Sequence, residues 1–159
     1  MISLSEVRQY LSNNGLEPQD VSESALVITV QGNAKLKINV ALAIGEHTFR
    51  IESFVARNPD ENHENVYRWI LEENRKLLTV AFCLDTFGDI YLRGSMPIAN
   101  MTISDVDQLL GVVIAESDRS FNTLLELGFK SAIEREWAWR TSNGMDTANL
   151  QAFAHLFNN

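Results

Sequence analysis

The side chains best suited to bind metals are few in this 159-residue chain and lie far apart in the sequence. The three histidines, His47, His63 and His155, fall in separate segments, and none lies within one helical turn of another. A structural metal site needs several ligands that converge on one point. Asp85 and Asp89 flank a glycine, but the spaced oxygens and closing glutamate of a calcium-binding loop are missing. We therefore expect no metal site and interpret both aspartates as turn residues.

The candidate nucleophiles are equally isolated. The one cysteine, Cys83, lies between a phenylalanine and a leucine, which predicts an inert thiol in the core. No serine falls in a G-x-S-x-G turn, and the glycines are too scattered to cradle a phosphate. Glu64, Glu72 and Glu73 are explained by the solvated face of an amphipathic helix. We predict that the protein is not an enzyme and has no cofactor.

The charge and the length of the apolar segments limit the partners. Thirteen Lys and Arg against 21 Asp and Glu give a net charge of -8, and such a field repels phosphate backbones. No segment approaches the roughly 20 apolar residues of a membrane helix, and Ser3, Ser5 and Glu6 stand where a signal peptide is apolar. A lone cysteine forms no intramolecular disulfide. We expect no nucleic-acid partner, no membrane partner and a cytoplasmic location.

The first half of the chain begins with a helix and continues with strands. Ser3 and Glu6 are spaced as a capping box before an amphipathic helix. Three strands with alternating apolar residues follow, within 25–30, 35–40 and 49–52. Their short connections predict an antiparallel meander with one face toward solvent.

The second of these strands has the clearest alternation. Leu36, Ile38 and Val40 are predicted to face the core, and Lys35 and Lys37 to face the solvent. This alternation sets the expected orientation of the whole meander.

The second half repeats helix, hairpin and helix. Asn58-Pro59 and the acids after them predict the start of the second helix. The apolar residues 78–84 predict a central strand buried on both faces, paired with residues 90–93. The third helix is predicted to begin at Thr102, with Asp105 completing its capping box.

The resulting order is α-βββ-α-ββ-α, followed by C-terminal helical pieces. It predicts an α+β fold in which an antiparallel sheet packs against helices. Because no linker or repeat divides the chain, we expect residues 1–159 to form a single domain, with residues 129–159 as a C-terminal helical extension.

Two groups of aromatic and apolar residues exceed what one such core needs. In the second helix, Val66, Tyr67, Trp69 and Ile70 form an apolar arc that is broad for its length. Either the sheet covers this arc widely, or part of it meets another chain.

The second group lies near the C-terminus. Trp137 and Trp139 lie about 200° apart on a helix, so one core face does not hold both. Either a second layer such as the segment around Phe153 covers the other indole, or a partner polypeptide does. The segment that ends at Phe157 has the same two alternatives, its own domain or a neighbouring chain.

Several stretches resemble the YbjN family of bacterial proteins in its actinobacterial form. The resemblance is strongest in the following segments: 66–69, 80–82, 88–92, 120–129 and 135–140. It implies the fold of type III secretion chaperones, with the same order of elements, and small, acidic, non-catalytic proteins that bind other polypeptides and pair as homodimers. It also implies a dimer contact through the second helix, Asn62–Lys76, and the strand after it, Leu78–Leu84. The extension after Gly128 departs from secretion chaperones proper.

Two functions are therefore expected. The leading hypothesis is a chaperone-like or regulatory module that acts as a homodimer and binds an unidentified protein. Its predicted interface residues are Val66, Tyr67, Trp69, Ile70, Trp137, Trp139, Phe153 and Phe157. The alternative is a small-molecule sensor with a pocket between sheet and helices, which the residues Tyr10, Tyr67, Tyr91 and Trp69 suggest.

Overall fold

The computed structural model describes residues 1–158 and contains a sheet and helices in alternating groups. In chain order the elements are α1 (Leu4–Asn13), β1 (Gln19–Ser22), β2 (Ala25–Val30), β3 (Ile38–Ile44), β4 (Thr48–Ala56), α2 (His63–Asn74), β5 (Val80–Leu84), β6 (Ile90–Pro97), α3 (Ile103–Gly128), α4 (Lys130–Ser142) and a 3₁₀ helix (Ala148–Leu156). The six strands form one antiparallel sheet in the order β1-β2-β3-β4-β6-β5. The predicted α+β class and antiparallel sheet are confirmed.

The sheet has one covered face and one open face. Alternate residues of its long central strand β4, such as Phe49 and Ile51, are fully buried beneath the helices. Their neighbours Arg50 and Glu52 point the other way and are exposed. The predicted meander with one face toward solvent is confirmed, because a β-strand places successive side chains on opposite faces.

Both predicted capping boxes are present. Ser3 accepts a hydrogen bond from the Glu6 amide, and the Glu6 carboxylate accepts one from the Ser3 amide. Thr102 and Asp105 exchange the same pair of bonds at the start of α3. Each box satisfies two backbone donors that the first helical turn leaves free, so each helix begins where its sequence specifies.

Strand β1 is an addition to the predicted order. All four of its residues are exposed, so it lacks the apolar alternation by which the other strands are recognised. It pairs with β2 at the edge of the sheet, and its Asp20 forms an ion pair with Arg8 of α1. The strand is held by backbone pairing and by this ion pair.

The apolar segment 78–84 is not a central strand buried on both faces, and that prediction is wrong. Strand β5 begins at Val80, lies at the edge of the sheet and pairs with β6 alone. Within the strand, Ala81 is exposed, and Leu78 before it is 98 % exposed. Part of this apolar segment therefore lies at the protein surface and not in the core.

The predicted orientations of Lys35 and Leu36 are also wrong, whereas Lys37 is exposed as predicted. Strand β3 begins at Ile38, and the residues before it form a loop in which Lys35 is 9 % exposed and Leu36 is 69 % exposed. Asp118 of α3 accepts hydrogen bonds from the amides of Ala34 and Lys35, at 2.8 and 2.9 Å. These bonds hold the loop backbone against α3, and the alternation of a strand does not apply to it.

Helix α2 begins later than Asn58-Pro59 predicts. It starts at His63, after Asn62 in a left-handed conformation. The acid expected in its first turn, Glu61, instead accepts hydrogen bonds from the amide and hydroxyl of Ser131, at 2.6 and 2.8 Å. Glu61 thus caps the start of α4, and a long-range contact replaces the local one.

Buried apolar residues form two clusters. The larger lies between the sheet and helices α1, α2 and α3. The smaller consists of Ile133, Leu150 and Phe153, with Trp137 and Phe157 packed against it. The C-terminal elements therefore have a small core of their own beside the end of α3.

Candidate functional site

The predicted apolar arc of α2 is divided between the core and the surface. Val66 and Ile70 are buried in the larger cluster. Trp69 is half-buried, and its ring centroid lies 5.8 Å from that of Phe82 on β5. Tyr67 is half-buried on the other side of the helix. Val66 and Ile70 offer no surface to a partner, so a contact through this arc depends on Tyr67 and Trp69.

Two exposed leucines extend this arc. Leu71, one helical turn after Tyr67, is 67 % exposed, and Leu78, in the turn between α2 and β5, is 98 % exposed. Tyr67, Trp69, Leu71 and Leu78 are here named the α2 surface. Leucines this exposed leave apolar area in contact with water, and burying it in an interface is favourable.

A cleft of about 720 Å³ lies next to Leu78, between the α2–β5 turn and α3. Leu77, Met96, Leu109 and Val112 contribute its apolar lining, and the acids of α3 line it as well. A shallower depression runs along α2 past Leu71. The α2 surface is therefore uneven, which suits contact with side chains of another chain.

The backbone edge of β5 is partly closed by a side chain of α2. The side-chain amide of Asn74 accepts a hydrogen bond from the Phe82 amide at 2.7 Å and donates one to the Phe82 carbonyl at 3.1 Å. Asn74 therefore takes the place that a neighbouring strand would occupy. Addition of a further strand at Phe82 would displace Asn74 from these two hydrogen bonds.

An ionic network fixes α2 against α3. The buried carboxylate of Glu73 lies 2.6 Å from Lys76 Nζ and 2.7 Å from an Arg119 guanidinium nitrogen. Arg119 also pairs with Glu116 at 2.5 Å. The hydrogen bonds from Lys76 and Arg119 lower the pKa of Glu73 despite its burial. The ion pairs of Glu73 with Lys76 and Arg119 therefore fix the position of α2 relative to α3.

The two predicted tryptophans of α4 have different environments. The Trp137 ring stacks on Phe157 at a centroid distance of 4.5 Å, and Phe153 is buried beside it. Trp139 lies on the other side of α4 and is 53 % exposed. His155 of the 3₁₀ helix lies 3.0 Å from the Glu126 carboxylate, which ties this segment to α3. The C-terminal segment covers one indole and leaves the other at the surface.

The residues considered first for chemistry stay apart in the fold. In residues 1–158, no three His, Cys, Asp or Glu side chains come together as a metal site would require. Burial raises the pKa of Cys83, which favours the protonated thiol. Asp85 accepts the amides of Phe87 and Asp89, at 2.8 and 2.9 Å, so it serves the hairpin turn as predicted. Over the same range, none of the helices is both long and apolar enough to cross a membrane.

Sequence reasoning missed Leu78 and Lys35. The apolar segment 78–84 predicts that Leu78 lies in a buried strand, and the local sign of a turn is the pair Arg75-Lys76, two to three residues before it. Nothing in the sequence marks Lys35 as buried, because Asp118, which fixes its loop, lies 83 residues further along the chain.

Comparison with known proteins gives a family and a fold. The family model YbjN, described as "Putative bacterial sensory transduction regulator", matches residues 3–126. An uncharacterized protein of Mycobacterium tuberculosis is 54 % identical over 132 residues, which cover 83 % of this chain and 72 % of that protein. A Mycobacterium leprae protein, also uncharacterized, is 52 % identical over 131 residues, with 82 % and 71 % of the two chains covered.

Three solved structures are similar in fold. YbjN of E. coli has a TM-score of 0.57 and 12 % sequence identity, and the match covers 76 % of this chain and 89 % of that one. The heterodimeric complex ExoU–SpcU from the type III secretion system of Pseudomonas aeruginosa has a TM-score of 0.53 and 14 % identity, with 77 % of this chain and 97 % of that one covered. The HopA1–SchA chaperone–effector complex has a TM-score of 0.54 and 9 % identity, with 76 % of this chain and 98 % of that one covered. At these identities the similarity shows the fold, which is the chaperone-like α+β fold that the resemblance implied.

Proposed function

Because the chain belongs to the YbjN family, we propose that it is a non-enzymatic protein-interaction module, chaperone-like or regulatory, that pairs as a homodimer and binds another polypeptide. The observation that carries this proposal is the set of apolar side chains that α2 and its following turn leave at the surface: Leu71 on the Tyr67 side of the helix, and Leu78 in the turn. Two of the structures with this fold are complexes of two different proteins, which supports a polypeptide as partner.

The α2 surface is the proposed contact between two copies of this chain. The net charge of -8 opposes close approach of two copies, so apolar contact has to supply the favourable term. Glu64, Glu72, Arg68 and Arg75 surround Leu71, so the charges next to this leucine balance and do not add to the repulsion. Asn74 blocks strand pairing at Phe82, so we infer a side-chain interface built around Leu71 and Leu78.

The second proposed contact is the outer side of α4. Trp139 is the exposed tryptophan of this helix, and tryptophan is enriched among the residues that dominate binding energy. Phe157 and Phe153 are occupied with Trp137 in the small C-terminal core. Among the predicted interface residues of the extension, Trp139 therefore offers the most area to another polypeptide.

We also infer that residues 1–159 act as one domain, with residues 129–159 as a helical extension. The small core of Ile133, Leu150 and Phe153 also packs against Leu125 of α3. Glu61 caps α4 from the loop before α2, so the extension is tied to the main body at two points.

The homodimer is tested with Leu71→Glu, followed by light scattering and sedimentation. The wild-type chain is expected to have twice the 17.9 kDa mass of one copy, and the variant the mass of one copy. Leu71 is chosen over Trp69 because Trp69 contacts Phe82, and its loss would also affect folding. Circular dichroism checks that the variant keeps its helices.

Leu36→Glu is the matched control, because Leu36 is equally exposed but lies in the loop before β3. It is expected to leave the dimer intact. A wild-type chain that sediments as one copy would refute the homodimer. A Leu36→Glu variant that also dissociates would show that the α2 surface is not the specific contact.

The polypeptide partner is tested by introducing a photo-crosslinking side chain at position 139 in cells that make the protein. A discrete adduct with a second, different protein is expected, and the same group at exposed position 36 is expected to give none. Adducts that are identical at both positions, or absent from both, would contradict a specific contact at Trp139.

A second candidate function, sensing of a small molecule, is supported by a separate observation. A cleft of about 430 Å³ opens between the end of β4 and helices α3 and α4. Its volume is typical of small-molecule sites, and Phe54, Phe121 and Phe129 line it. It does not contain the residues of the α2 surface.

A further inference from the structure

Lys35 is a buried cation surrounded by aromatic rings. It is 9 % exposed, and its Nζ lies 4.8 Å from the ring centroid of Phe121 and 5.3 Å from that of Phe54. The same Nζ donates a hydrogen bond to the Val55 carbonyl at 3.2 Å. The sheet register between β4 and β6 is irregular between Phe54 and Ala56, which leaves Val55 out of the pairing.

The ammonium of Lys35 has no acidic partner in residues 1–158. No carboxylate of this part of the chain lies within 4.0 Å of Nζ, and one of its three N–H donors is used by Val55. The carboxylate of Asp118 on α3, which holds this loop, accepts the backbone amides of Ala34 and Lys35. Burial lowers the pKa of Lys35, because the charged form loses hydration that no anion replaces.

The cleft beside Lys35 is apolar apart from its cations. Leu125, Ala132 and Phe129 form one wall. Arg57 also lines the cleft, and its guanidinium lies 4.4 Å from the Phe129 ring centroid. Arg57 is already paired with both oxygens of Asp60, at 2.6 and 2.9 Å. Arg57 therefore already has a carboxylate counter-charge, and Lys35 is the cation of this cleft that has none among the described residues.

We propose that this cleft binds a small organic carboxylate with an aromatic or aliphatic body, its carboxylate at Lys35 Nζ and its body against Phe121, Leu125 and Phe129. The carboxylate would supply the missing counter-charge through charge-assisted hydrogen bonds. The apolar wall favours a ligand with an apolar body, because binding then removes that wall from water. Inorganic phosphate has no apolar part and would leave the wall exposed to solvent. This inference rests on the second candidate function and is independent of the α2 surface.

The probe is 3-phenylpropionate, titrated into the isotope-labelled wild-type chain and followed by NMR, with 3-phenylpropanamide as the neutral analogue of equal shape. The acid is expected to shift the resonances of Lys35 and Leu125 and to bind about tenfold to a hundredfold more tightly than the amide. Lys35→Met, which keeps the stem and removes the charge, is expected to abolish this difference. Lys37→Met, an exposed lysine of the same loop, is the matched control and is expected to preserve it.

Equal affinity of the wild-type chain for acid and amide would overturn the proposal, and so would an absence of shifts in the cleft at millimolar acid. If Lys35→Met fails to fold, Leu125→Trp replaces it, because it fills the cleft and leaves the charge. That variant is expected to lose binding of the acid, and retained binding would refute the site. Leu71→Glu is expected to bind the acid normally, so failure of the dimer and failure of the cleft are distinguished.

Discussion

Ser117 and Asp118 are adjacent on α3 and differ in how their polar atoms are satisfied. Asp118 accepts backbone amides of the loop before β3, and these hydrogen bonds lower its pKa although burial acts to raise it. Ser117 is fully buried, and its Oγ has no hydrogen-bond partner among the described residues. Asp118 thus holds a loop against α3, whereas Ser117 places a hydroxyl without a hydrogen-bond partner in the core.

The Ser117→Ala variant is expected to be more stable than the wild-type chain by about 1 kcal/mol, because a buried hydroxyl without a partner loses its hydration for no gain. Alanine also has the higher helix propensity. Urea unfolding followed by circular dichroism measures the change. Ser5→Ala, at an exposed position in the first turn of α1, is the surface control and is expected to shift stability by less. A destabilised Ser117→Ala variant would show that the hydroxyl has a role in the core.

The orientation of Lys35 shows where sequence reasoning at the residue scale ends. The alternation of Ile38 and Val40 correctly predicts the core face of β3. Extended two residues back, the same alternation fails, because Asp118 pulls that segment into a loop. Capping residues were predicted correctly because their partners lie three positions away, and a contact over 83 residues leaves no local pattern.

At the scale of elements, the edge of β5 is where the sheet meets α2. Asn74 occupies both backbone groups of Phe82, so the end of the helix and the edge of the strand depend on each other. An edge strand with free backbone groups invites pairing with other chains. Asn74 therefore both stabilises β5 and protects it.

The Asn74→Ala variant is expected to lose about 1–3 kcal/mol of unfolding free energy, because two part-buried hydrogen bonds on the Phe82 backbone disappear. We also expect it to aggregate faster, measured by light scattering at rising concentration. Asn65→Ala is the control on the same helix, since Asn65 is exposed and its side chain bonds to Asn62 within the helix start. Equal stability of the two variants would contradict the protective role of Asn74.

The sequence predicts an element correctly where the residues that determine it lie within the element itself, and fails where distant contacts determine it. Strands β2, β4 and β6 alternate and were recognised, and β1 was missed because all its residues are polar or exposed. The apolar composition of the segment that contains β5 predicts a central strand, because composition does not distinguish a core from an exposed apolar surface. The start of α2 was misplaced because Glu61 caps another helix.

At the scale of the whole molecule, two cores account for most of the apolar residues. The larger lies under the sheet, and the smaller joins α4 to the 3₁₀ helix. The candidate site was foreseen in part: the broad arc of α2 and the separated tryptophans were visible as periodicity. Which members of each group lie at the surface depends on packing, and only the fold assigns Leu71, Leu78 and Trp139 to it.

The acidic chain depends on its carboxylates for stability as the pH falls. Glu73 and Asp118 both have lowered pKa values in the folded chain, below the ordinary values of 4.5 and 3.8. A carboxyl group whose folded pKa is lowered contributes stability above its unfolded pKa, and this contribution is lost as the pH falls through the folded pKa. We therefore expect the urea midpoint to be steady near neutral pH and to fall steeply below about pH 4.5.

Glu73→Gln tests which carboxylate is responsible for this acid sensitivity. Because Glu73 is buried between Lys76 and Arg119, its neutral replacement is expected to lower stability at pH 7 by about 1–3 kcal/mol. The same variant is expected to lose less on acidification than the wild-type chain, so the two curves converge toward pH 3. Glu17→Gln, an exposed control, should follow the wild-type curve. Parallel curves for wild type and Glu73→Gln would mean that Glu73 does not link the α2–α3 contact to pH.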